Sequence, residues 1–139
     1  SSIDSTLESL EIGKARLLRK GSSGIVFLNF GALLDQAEIV ANEMDMTLID
    51  MRFVKPLDEE LLCKHLNNAS MFLSLEDGSI SGGAGSAVQE FCGRNNIIIK
   101  SMLFGIPDEF IDHASREEML DQAGLNAKKI LNKLKTLQE

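Results

Sequence analysis

The chain has 139 residues, 44% of them apolar, and carries 14 lysines and arginines against 21 aspartates and glutamates, a net charge of -7. That length supports one domain with its own core and not a comfortable two, and that charge repels nucleic acid and anionic membrane surfaces alike. Seven phenylalanines without a tryptophan or tyrosine leave little for stacking on bases or sugars.

The opening SSIDSTLESLE lacks the cationic start and apolar middle of a secretory signal. Nowhere does an apolar run reach the roughly 20 residues of a bilayer span, so the sequence predicts a cytoplasmic protein. Ala15 to Leu18 reads as a short edge strand that ends in the turn-prone KGSSG. IVFLNF, Ile25 to Phe30, is an apolar, β-branched run between two glycines, which is how a strand covered on both faces looks. Leu33, Ala37, Val40, Ala41 and Met44 then recur at helical spacing, with Asp35, Glu38 and Glu43 off the stripe. TLIDMRFV (47–54) is a second core strand, and KPLDEELLCKHLNNA a helix opening near Pro56 and Asp58. MFLSLE (71–76) is the next strand, Gly83 to Arg94 a helix, and NIIIKSMLF (96–104) a fourth core strand.

Further on, Ser115 and Glu118 form a capping box, Gly124 stops that helix, and Asn126 caps the last one. The last helix carries Ile130, Leu131, Leu134 and Leu137 on one face and Lys128, Lys129, Lys133 and Lys135 mostly on the other. Such alternation predicts an α/β fold of three layers, a mostly parallel sheet of about five strands with helices on both faces.

Candidate sites are few. LEDGSISGGAGSAVQEF (75–91) lies where open parallel sheets collect ligands, at the carboxyl end of a strand. A P-loop needs a lysine beside its last glycine, and a dinucleotide loop needs GxGxxG after the first strand; neither is present. Two readings stay open: the helix start after Gly83 binds an anion, or the glycines let two backbones approach closely. Glu76 and Asp77, adjacent on an extended segment, point to opposite sides, which favours hydrogen bonding over paired acid and base work. His65 and His113 have no partner that spacing can name, and Cys63 and Cys92 lie too far apart for a CxxC or zinc pattern. No GxSxG or other activated nucleophile is present.

DMRFVKPLD (50–58), GGAGSAV (82–88) and GIPDEFI (105–111), in that order, resemble the C-terminal domain of the transketolase family, in the branch that condenses pyruvate with glyceraldehyde 3-phosphate. The likeness runs from LEIGKA to the end of the chain. It implies residues 1–12 as a linker from upstream domains and 13–139 as a transketolase C-terminal-like domain. It further implies that thiamine diphosphate and Mg2+ are held by those upstream domains and no cofactor by this chain, that the whole enzyme is a homodimer, and that this piece is a non-catalytic assembly domain. On the resemblance, Arg52, Lys55, Pro56, Glu76, Asp77, Gly82, Gly83, Gly85 and Ser86 are interface and scaffold positions. Some relatives carry a second glutamate where Asp77 stands. The β subunit of a thiamine-dependent 2-oxo acid dehydrogenase shares the KPLD-like link and the glycines but not GIPDEFI, and a free-standing anion-binding module remains the alternative without common descent.

Overall fold

The computed structural model describes residues 12–78, 83–105 and 115–138. Five strands, β1 (Arg16–Arg19), β2 (Ile25–Phe30), β3 (Thr47–Asp50), β4 (Met71–Glu76) and β5 (Lys100–Gly105), form one sheet in the order β1-β3-β2-β4-β5. β2 pairs in parallel with β3 and β4, and β4 with β5. β1 alone runs antiparallel, at the edge beside β3.

Helices cover both faces. α1 (Leu34–Glu43) and α5 (Ala127–Gln138) lie on one, where Val40, Ala41, Ile130 and Leu134 pack on Phe27, Leu48 and Leu73. α2 (Glu59–Leu66) and α3 (Ala84–Arg94) lie on the other, where Leu62, Leu66, Val88 and Phe91 pack on Leu28, Phe30, Ile49 and Phe72. The continuous apolar run of β2 thus supplies alternate residues to two cores, which is why it does not alternate in polarity. Phe27, Phe30 and Phe72 are fully buried, and each contributes roughly 1.5–3 kcal/mol by leaving water.

The helix signals act as the sequence indicates. Ser115 Oγ accepts from the Glu118 amide at 3.2 Å to start α4 (Arg116–Ala123). Asn126 Oδ1 accepts from the Lys129 amide at 2.9 Å to start α5. Two strands are shorter than the sequence suggests. β3 ends at Asp50 because Arg52 adopts φ +60°, outside the strand region for an L residue. β5 starts only at Lys100, and Ile97 and Ile99 still pack against the α2 and α3 core. Among the described residues, no helix is long and apolar enough to cross a membrane.

Candidate functional site

Parallel pairing gathers the ends of four strands. Phe30, Glu76 and Gly105 stand in register, and Asn29 stands opposite Asp50. The chain leaves β2 toward α1 and leaves β4 toward α3, on opposite faces, so the space beyond these two strands is the switch point where open α/β sheets take ligands.

Two carboxylates fill it. α3 begins after Gly83, which has no side chain to cap the free amides of a first turn. Glu76 supplies that cap from the end of β4: its Oε2 accepts from the Ala84 amide at 3.0 Å, where the positive pole of the helix favours an anion. Asp77 turns the other way. Its Oδ2 accepts from the Ala32 amide at 2.6 Å, just ahead of α1, whose cap residue Leu33 offers no side-chain acceptor. Gly31 makes room for this: its φ is +114°, and a Cβ there would run into the Asp77 carboxylate. The adjacent acids therefore diverge, and each is bonded to backbone.

Gly85 and Gly83 differ. A Cβ on Gly85 would lie 2.7 Å from Leu103 Cδ2 and in contact with Ser74 Oγ, so α3 needs glycine there to seat on β4 and β5. Gly83, at φ +84°, faces open space, and Ser86 is exposed. Gly82, His113 and most of GIPDEFI lie outside the described residues.

The link after β3 forms a second cluster. Arg52 Nη2 donates to the Lys14 carbonyl at 2.7 Å. Asp58 caps α2 through the Leu61 amide at 3.2 Å and accepts from the Ala15 amide at 2.8 Å. The Lys55–Pro56 bond is cis, and Pro56 lies so close to Gly13 that a Cβ on the glycine would stand 2.9 Å from its Cγ. Arg52, Pro56 and Asp58 together clamp residues 13–15, the stretch that feeds β1. Exposed Lys55 lies on the rim of a groove of about 440 Å³ between this link and the outer side of α3, at Ala87, Glu90 and Arg94.

Residues that the motifs did not single out complete the site. Asn29 is fully buried, and its Nδ2 donates to the Gly31 carbonyl at 3.0 Å and to Asp50 Oδ1 at 3.3 Å. The one polar residue inside IVFLNF is the signal that could have found it. Away from the strand ends, the side chain of His65 is held below the usual imidazole range by burial and by Lys64 and Lys20. Burial, with Cys63 nearby, pushes the Cys92 thiol up, which makes it a poor nucleophile.

Among the described residues this end of the sheet is poorly suited to a diphosphate. The amide that opens α3 is already bonded to Glu76, and an incoming anion would meet two carboxylates. Among the described residues no group of three histidine, cysteine or acidic side chains could hold a metal ion. The geometry of the described residues favours close packing over anion capture.

The family model described as the transketolase C-terminal domain matches residues 13–130. A 1-deoxy-D-xylulose-5-phosphate synthase of Marinomonas sp. (strain MWYL1) is 50% identical over 125 residues, 90% of this chain and 20% of that protein. The enzyme of the same name from Pseudoalteromonas translucida (strain TAC 125) is 43% identical over 133 residues, 96% of this chain and 21% of that protein. Among solved structures, one described as a split gene transketolase, inactive beta4 tetramer, superposes with a TM-score of 0.72 at 25% identity, covering 91% of this chain and 43% of that one. The chain thus spans about one-fifth of the length of the curated relatives it matches.

Proposed function

This chain belongs to the transketolase C-terminal domain family, and we propose that it serves as the non-catalytic assembly domain of a 1-deoxy-D-xylulose-5-phosphate synthase. The whole enzyme condenses pyruvate with glyceraldehyde 3-phosphate to 1-deoxy-D-xylulose 5-phosphate and carbon dioxide. Thiamine diphosphate and Mg2+ belong to upstream domains of a cytoplasmic homodimer. Residues 1–12 are the link from those domains, and 13–139 the domain itself.

The observation that carries the reading is the bonding of Glu76 and Asp77. Each accepts from a backbone amide of its own chain, Ala84 at the start of α3 and Ala32 ahead of α1, which is how a carboxylate fixes a loop and a helix start. The clamp of Arg52, Pro56 and Asp58 on residues 13–15 fits a domain whose job begins at its join with the rest. On this reading Arg52, Lys55, Pro56, Glu76 and Asp77, with Gly82, Gly83, Gly85 and Ser86, shape the surface that meets the upstream domains and the second subunit.

The experiment is complementation. The upstream domains are expressed without this chain, and synthesis of 1-deoxy-D-xylulose 5-phosphate is assayed with thiamine diphosphate and Mg2+ before and after the purified chain is added. Restored activity or dimerisation supports the reading. A truncated enzyme that is fully active and dimeric on its own overturns it.

A further inference from the structure

The opposite end of the sheet carries a different feature. Ile25, Met71 and Lys100 are the first residues of β2, β4 and β5. With Met44 at the end of α1 and Leu134 and Leu137 on α5, they line a hollow of about 270 Å³. Five of these six side chains are apolar. Lys100 is exposed and forms no ion pair among the described residues. Leu137 leaves 62% of its surface to solvent although it borders an apolar space.

We propose that this hollow binds a medium-chain aliphatic carboxylate, with the tail among the methionines and leucines and the carboxylate on the Lys100 ammonium. Charge and volume select that class. The chain is acidic overall, so an unpaired lysine at the rim of an apolar cavity is a local reversal that attracts an anion, provided the rest of the ligand is apolar. At roughly 30 Å³ for each water- or methylene-sized group the space holds about nine of them, the length of octanoate and not of acetate or palmitate. Met44 and Met71 suit such a guest because unbranched thioether side chains adjust to irregular contents. With one polar side chain among the six that line it, the space suits an aliphatic tail better than a nucleotide or sugar phosphate. The hollow lies at the far end of the strands from Glu76 and Asp77, so the inference stands apart from the assembly reading.

The test uses the 139-residue chain labelled at its methionine methyl groups and titrated with octanoate and, in parallel, with octanol. Octanoate shifts the Met44 and Met71 methyl signals saturably. Octanol, and octanoate on the Lys100→Glu variant, bind about two- to fivefold more weakly, the size expected for losing one exposed charge pair. Absence of a saturable shift at Met44 and Met71, shifts centred on other methionines, equal binding of acid and alcohol, or an unchanged Lys100→Glu variant would each overturn the proposal.

Discussion

At the carboxyl ends of the parallel strands Glu76, Asp77 and Asp58 each bond a backbone amide, whereas at the amino ends Ile25, Met71 and Lys100 border a hollow whose one charged lining side chain, Lys100, forms no ion pair among the described residues. Both ends belong to one sheet, yet among the described residues only at the first do carboxylates close off the amides at or just ahead of helix starts. The general rule places ligands at carboxyl ends because helix starts there leave amides unsatisfied. Here Glu76 takes the first amide of α3, and Asp77 takes the Ala32 amide just ahead of α1. Topology marks where a site can form, and the hydrogen bonds decide whether it does.

Disrupting the closed end has the largest expected effects. Gly31→Val combines a left-handed backbone with a clash on the Asp77 carboxylate, and costs about 3 kcal/mol or more by the usual sizes of those two penalties. Urea unfolding measures it, and a loss under 1 kcal/mol would mean that Asp77 does not need its place. Glu76→Ala and Asp58→Ala each remove a helix cap, worth about 1–2 kcal/mol. Asp58→Ala also frees the Ala15 amide, so amide exchange at residues 13–15 rises in that variant and not in Glu76→Ala. Glu76→Gln keeps an acceptor and loses only the charge at the helix pole, about 0.5 kcal/mol.

The open end responds little. Leu137→Ala removes an exposed side chain, and its stability stays within about 0.5 kcal/mol of the parent. If it proved as costly as Glu76→Ala, the hollow would be a structural core and the contrast between the ends would fail.

The smallest effect concerns pH. Hydrogen bonds from Ser22 and Arg19 hold Asp45 below its ordinary value of 3.8. A carboxyl group lowered by folding contributes stability above its unfolded pKa and loses it as pH falls through the folded one. Asp45→Asn therefore lowers stability slightly at neutral pH and flattens the acid limb of the curve, so that the variant and the parent converge as pH falls below that value.

Much of this was legible in the residues. Periodicity placed every core strand and helix, since two-sided burial makes IVFLNF and MFLSLE continuous and one-sided burial makes α1 amphipathic. The stops were harder. β3 ends at Asp50 and not at Val54 because of a backbone turn at Arg52 that no local composition marks. The partners of Glu76 and Asp77 were out of reach for a different reason. Their divergence follows from adjacency on a strand, but Ala84 and Ala32 become neighbours only through the sheet order, and Asp77 reaches 45 residues back to its amide. Gly85 shows the same limit: its need for close packing was one of two open readings until β5 brought Leu103 against it.

The most direct measurement follows the Ala84 and Ala32 amides in 15N-edited NMR spectra while millimolar pyrophosphate and Mg2+ are added. A carboxyl end sealed by its own acids predicts that neither signal moves until Glu76 is replaced by alanine. A saturable shift of either amide in the parent chain would show that this end of the sheet receives a diphosphate, and would contradict the account.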